Sequence, residues 1–271
     1  MIWTILVLLL VSVAFVYTGV MYNKNKTDRT SMIIKKIVQL VLAFLIAGCV
    51  ARLYVPYYLT SVNPMILQEM ANGLQEQQAA EKNKAIRAAV KSGAEAMMAD
   101  APILGNVDAK NTIFIWTDFS CPYCRRVHGE LDKVLKERDD VRVVVKNFSI
   151  HGDLSDAPAR AVIAAKIQDN AKAAALVESL MTKEYYSSDD MKDRAKLGEK
   201  VKANVLKFAK EAGLDTKQLE ADMQGEVVTR ELANVRGMAQ EFEINGTPFL
   251  IINEKAFPGA IPYKQIIDAL K

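Results

Sequence analysis

The sequence predicts an α/β fold: a β-α-β start, a long helical insertion, then a strand, a turn, a candidate further strand and a closing helix. Three observations predict it. Residues 112–117 (TIFIWT) form an apolar, β-branched and aromatic run that leads into Cys121-Pro122-Tyr123-Cys124 and an apolar-periodic segment. Residues 141–145 (VRVVV) are a second strand-like run. Far downstream, Gly246-Thr247-Pro248 stands immediately before a third, 249–252 (FLII).

The N-terminal part differs in character. The chain has 271 residues, enough for about one or two domains. Its apolar share of 51% is high for a soluble protein, and the excess lies at the N-terminus. Residues 2–22 carry no charge and reach the ~20 residues a bilayer span needs. A second apolar stretch covers 37–59, interrupted by Arg52, which can snorkel to the interface. Lys24, Lys26, Arg29, Lys35 and Lys36 against Asp28 lie between the two stretches, so this loop is expected to face the cytoplasm. Everything after about residue 60 would then be extracytoplasmic.

A rival reading starts the chain at Met32. Lys35 and Lys36 would be its basic leader, 37–45 its apolar core, and Ile46-Ala47-Gly48-Cys49 a lipoprotein-type cleavage box with Cys49 lipidated. Otherwise Cys49 is a small apolar residue of a membrane helix. Either way the following domain is tethered to a membrane. The net charge of +3 is explained largely by the cytoplasmic loop. No basic stripe with interleaved aromatics exists, which excludes a nucleic-acid reading.

Residues 1–59 are thus the expected anchor and 60–102 a helical connector starting at Asn63-Pro64. Leu67, Met70 and Leu74 share one helical face near its start; Ile86, Val90, Ala94 and Met97 share one near its end. The middle, QEQQAAEKNK, is polar all round. Such a helix is either a solvated stalk or a dimerisation helix that buries its two apolar patches. The domain proper is expected over 103–271. Val127, Leu131, Val134 and Leu135 place a helix over 121–138, and 153–240 reads as the helical insertion. Pro258-Gly259 marks a turn before the last helix.

The cysteine pair carries the chemistry. Ser120 or Cys121 is the expected N-cap, and Pro122 suits the first turn, where its missing N–H is not needed. A helix N-terminus presents free amides and a positive dipole end, which favour a thiolate at Cys121. Cys124, one turn deeper on the same face, is placed to resolve a mixed disulfide, and the i, i+3 spacing lets the sulfurs bond. Two other readings stay open. A structural bridge over so short a loop would stabilise little. A metal site needs about four ligands, and the set available is Cys121, Cys124 and the only two histidines, His128 and His151.

The string TDFSCPYCRRVH, the helical insertion and GTPFLI together resemble the DsbA-like thioredoxin-fold oxidoreductases. The resemblance covers about residues 70–271 and is nearest to a branch of exported bacterial proteins with a helix before the catalytic domain. It implies a thioredoxin fold with a helical insertion, preceded by a long helix; the one or two N-terminal transmembrane helices expected from the apolar stretches lie outside it. It also implies a redox-active Cys121–Cys124 disulfide and a cis Thr247-Pro248 bond beside it. The Thr247 backbone would then offer an open edge to an extended substrate peptide. Pro122-Tyr123 departs from the Pro-His of the strongly oxidising members, so a less oxidising site is expected. Many relatives have an acid six residues before the first cysteine; here that position is Ile115. Asp118 is the nearest carboxylate, either a proton acceptor or a capping and turn residue. Arg125 and Arg126 add positive charge near the thiolate or simply line a solvated helix face.

The expected function is a membrane-anchored, extracytoplasmic thiol:disulfide oxidoreductase that forms or rearranges disulfides in exported proteins. It needs no cofactor, and a membrane or soluble redox partner would reset it. A homodimer through 60–100 would suit an isomerase or reductase. Competing classes are a copper or zinc chaperone using the cysteines with His128, and a non-enzymic tether. Neither accounts for Thr247-Pro248 accompanying the cysteine pair. His151 is expected to be a loop residue, and Trp116 a strand-core residue able to report redox state by fluorescence.

Overall fold

The computed structural model describes residues 29–58 and 64–271, and the chain divides after Gln78 into two compact units. In the first unit, helix α1 (Arg29–Tyr57) contains the segment Lys36–Tyr57, long and apolar enough to cross a membrane. Its side chains lie open, Leu40 and Phe44 among them. The other expected span, 2–22, falls outside the described residues. Helix α2 (Pro64–Met98) starts at a proline, as its fixed φ favours. Met65, Leu67, Met70 and Leu74, on its part of the first unit, are exposed.

The second unit begins within α2, at Ala79, earlier than the boundary at 103 expected from the sequence. The reason is the second apolar patch. Ile86 and Met97 are buried, with Ala89, Val90 and Ala94 packed beside them, against Phe114, Trp116, Val144 and Ile251. Even the polar middle is used. Lys82 donates to the Glu243 carbonyl, and Asn83 accepts the Ala256 N–H at the edge of the sheet. That contact covers an otherwise open strand edge.

The sheet has the order β1-β3-β2-β4-β5: β1 (Ile103–Gly105), β2 (Asn111–Thr117), β3 (Val141–Asn147), β4 (Phe249–Ile252) and β5 (Lys255–Pro258). Only β2 and β3 run parallel. The crossover between them is α3 (Pro122–Glu137), and α9 (Tyr263–Ala269) closes the fold. The central strands are buried on both faces, which is why they read as unbroken apolar runs. Ile113, Ile115, Val143, Val145 and Leu250 face the layer of α3 and α9; this cluster also holds Cys121 and Cys124. Phe114, Trp116, Val144 and Ile251 face the opposite way. Trp116 therefore sits across the sheet from the cysteines, and its indole N–H donates to the Val235 carbonyl.

Between β3 and β4 lie α4 (Asp156–Gln168), α5 (Asn170–Thr182), α6 (Arg194–Glu211), α7 (Thr216–Asp222) and α8 (Glu226–Glu241). The block expected as one insertion has two jobs. Helices α4 to α7 extend the core of the cysteine face. The end of α8 instead passes beneath the sheet, where Val235 and Ala239 pack with Trp116.

One charged pair sits inside this lower layer. Lys146 of β3 is fully buried; its Nζ donates to Glu231 of α8 at 2.6 Å and to the Met97 carbonyl at the end of α2 at 2.7 Å. Burial pulls the Lys146 ammonium below its ordinary range, against the attraction of Glu231. The pair fastens three elements, but each charge is tolerable only while the other is present. Lys146→Met is expected to cost about 3–5 kcal/mol by stranding Glu231. Lys146→Met with Glu231→Leu should recover most of it. Denaturant midpoints of the two variants check this.

Candidate active site at the cysteine pair

Strand β2 ends at Thr117, and five residues later, at Pro122, α3 begins. Cys121 is its N-cap residue (φ −78°, ψ 120°), and Pro122 occupies the first turn. No side chain caps the helix. The N–H groups of Cys124 and Arg125 close the first turn on the Cys121 carbonyl. Both cysteines are free thiols. Cys121 retains 5% exposure and Cys124 none, the asymmetry expected of an attacking and a resolving sulfur. The Cys121 thiol donates to the carbonyl of Thr247 at 3.5 Å. The Thr247–Pro248 bond is cis.

Cys124 lies against β2, and the Asp118 N–H donates to its sulfur at 3.5 Å. Burial pushes this thiol up to about 12; the Asp118 amide and the Thr117 and Thr247 side chains pull the other way. Charge on Cys121 raises it further, so capture of Cys121 in a mixed disulfide removes one obstacle to a Cys124 thiolate.

Asp118 is built into the scaffold. Its carboxylate, with no exposure, accepts from the Ser120 amide (2.9 Å) and hydroxyl (2.8 Å), the Ser155 hydroxyl (2.7 Å), the Ile150 amide (2.9 Å) and His151 Nδ1 (2.8 Å). Burial alone would raise its pKa. The donors, led by the Ile150 amide and Ser155, outweigh burial and hold it below the usual carboxylate range. Of the two sequence readings, the structure supports a turn residue: the carboxylate is saturated by these donors.

The remaining expected residues are dispersed in role. Tyr123 is 63% exposed and presents its ring at the surface. Arg125 is no free surface charge, for it donates to the carbonyls of Met181 and Lys183 at the C-terminal end of α5. Arg126 is exposed. His128 pairs with Glu178 at 2.7 Å. Among the described residues no group of three or more His, Cys, Asp or Glu side chains could hold a metal ion. An open groove of about 700 Å³ is lined by Phe148, Ile150, Arg236, Gln240, Glu243 and Asn245 among others.

Sequence reasoning missed Ser155, His151, Thr117 and Asn147. Asp118-Phe119-Ser120 has the spacing of a side chain that bonds its own backbone two residues on, which could have signalled the turn. Thr117 closes the expected strand 112–117, and Asn147 lies two residues beyond the expected strand 141–145.

Residues 97–271 match the thioredoxin family. The chain belongs to that family. Among solved structures, a thioredoxin-like oxidoreductase from Silicibacter pomeroyi DSS-3 is 32% identical, with a TM-score of 0.56 over 65% of this chain and 94% of that one. Proteus mirabilis ScsC in a transitional conformation is 26% identical, with a TM-score of 0.55 over 81% and 93%. The thiol-disulfide exchange protein alpha-DsbA2 of Wolbachia pipientis, 18% identical with a TM-score of 0.57 over 71% and 97%, shares the fold. The chain has the thioredoxin fold. A Na(+)/H(+) antiporter NhaA 1 of Mycolicibacterium gilvum (strain PYR-GCK) is 29% identical over 174 residues, 62% of this chain. The chain spans about a quarter of the length of the curated relatives it matches (26% of that one), so the likeness is domain-sized.

Asp118 gives a pH test. Its folded pKa is depressed, so its contribution is present above the unfolded carboxylate value, about 4, and is lost as pH falls through the lower folded value. In Asp118→Asn an amide N–H₂ would meet either the Ile150 N–H or the serine donors. The variant is expected to lose about 2–3 kcal/mol near neutral pH. The gap to the parent should narrow below about pH 4, as read from thermal melts across pH.

Proposed function

We propose that this chain is a membrane-anchored, extracytoplasmic thiol:disulfide oxidoreductase that forms or rearranges disulfides in exported proteins through Cys121 and Cys124. One observation carries the reading: the less buried sulfur of a helix-terminal pair lies against the backbone of Thr247, while its partner is sealed beneath. That arrangement suits an extended substrate segment laid along Thr247 with its sulfur delivered to Cys121. The exposed ring of Tyr123 would contact flanking residues.

In the reducing direction the Cys121 thiolate attacks a substrate disulfide, and one substrate sulfur leaves. Cys124 then attacks Cys121, releasing the second substrate sulfur and leaving Cys121–Cys124 oxidised. Oxidation of a substrate dithiol is the same sequence reversed, and a membrane or soluble redox partner resets the pair. The helix N-terminus stabilises the attacking and leaving thiolate alike. Anchoring through α1 would hold the domain outside the cytoplasm, where disulfides persist. A second reading, an isomerase or reductase acting as a homodimer, is favoured by the exposed row of Leu67, Met70 and Leu74.

The full chain carrying Cys49→Ala is expected to accelerate recovery of active ribonuclease from its reduced or scrambled form in a glutathione buffer. Cys121→Ser should fall to the uncatalysed rate. Cys124→Ser should collect covalent substrate adducts on Cys121, visible on non-reducing gels. Undiminished turnover by Cys121→Ser would overturn the assignment.

A further inference from the structure

Around Cys124 the protein holds polar atoms that it does not satisfy. Thr117 ends β2 and Asn147 ends β3, and the two are register partners across the parallel pair. Their side chains therefore leave the sheet on one face, that of Ile115, Val145 and the two cysteines. Thr117 is 1% exposed and Asn147 2%. The Thr117 hydroxyl, both ends of the Asn147 amide and the Thr247 hydroxyl are buried without a hydrogen bond from the protein. Native interiors leave few such groups, and each calls for a reason.

The reason lies in the sulfur beside the two threonines. The Thr117 and Thr247 side chains are close enough to Cys124 to favour its thiolate, yet neither hydroxyl is bonded in the dithiol state. No carboxylate serves instead. Asp118 gives Cys124 its backbone N–H, and its carboxylate is held by Ser120, Ser155, Ile150 and His151. The residue beneath is Ile115.

We propose that Thr117 and Thr247 form a thiolate-holding site for Cys124, with Asn147 as the positioning residue that turns the Thr117 hydroxyl toward the sulfur. The proposal rests on the redox reading given above and assigns the proton of its second step. With Cys121 joined to a substrate sulfur, the Thr247 hydroxyl accepts the Cys124 proton and passes its own to the departing substrate sulfur. The Cys124–Cys121 bond forms as the Cys121–substrate bond breaks, and the substrate leaves as a thiol. The two electrons come from the dithiol, so no other oxidant or reductant enters. While the sulfur is charged, the Thr117 hydroxyl donates to it and the Asn147 amide turns to donate to the Thr117 oxygen.

The test follows the reduced full chain, carrying Cys49→Ala, with an aromatic disulfide that releases a coloured thiol. One release marks attack by Cys121 and a second marks resolution by Cys124. Thr117→Val keeps the β-branched shape and removes the hydroxyl. It is expected to slow the second release by about tenfold or more relative to the first, the loss of a hydrogen bond to a charged group. The midpoint of its pH profile should move upward, and Thr117→Ser should restore both. Asn147→Leu should shift the same two quantities in the same direction, and either variant suffices if the other does not fold. A second release of parental rate and pH profile in a folded Thr117→Val or Asn147→Leu protein overturns the site. A parent chain that gives no second release overturns the redox reading, and the proposal with it.

Discussion

A carboxylate withdrawn from water must be hydrogen-bonded on every side or lose its charge. Asp118 meets that requirement with donors from the turn before α3, the loop after β3 and the segment that opens the helical insertion. Those segments are the walls of the cysteine site. Because one buried charge needs all of them, the loop that carries Cys121 cannot shift independently of the insertion. Its neighbour Arg125 makes a second tie, to the carbonyls at the C-terminal end of α5. The insertion is thus the frame that fixes where the N-terminus of α3 points.

Within that frame, the two sulfurs differ by where the helix places them. The N-cap position leaves Cys121 at the rim beside Thr247, and one turn later Cys124 is inside the core. A buried thiol is a poor acid, so Cys124 holds its proton until the environment at Cys121 changes. Order of reaction follows from burial, with no moving part required. The amide of Asp118 and the hydroxyls near it then decide how readily the second sulfur ionises.

Much of this was legible in the sequence. The apolar runs 112–117, 141–145 and 249–252 gave the three central strands because strands covered on both faces show no alternation. Cys121-Pro122 at a strand end gave the N-cap. The stripe of Ile86, Val90, Ala94 and Met97 was visible, but a stripe tells that a face is buried and not against what. Hence the boundary fell at 103 while the compact unit starts at Ala79. Strand β1, of three residues, is too short for periodicity to register. Lys146 with Glu231 and Asp118 with His151 are contacts between distant segments, and only the folded chain brings them together. His151 reads as a loop residue in the sequence; it is one, and its ring also completes the Asp118 cluster.

The central claim is that Cys121 and Cys124 are a reversible redox pair. The most direct measurement is their equilibrium with glutathione buffers of graded ratio, on the full chain with Cys49→Ala, reading the bridged fraction by mass. The account predicts reversible formation of one intramolecular disulfide, at a potential below the about −120 mV of the strongest oxidants, as Pro122-Tyr123 implies. Absence of a reversible Cys121–Cys124 bridge at any glutathione ratio would contradict it.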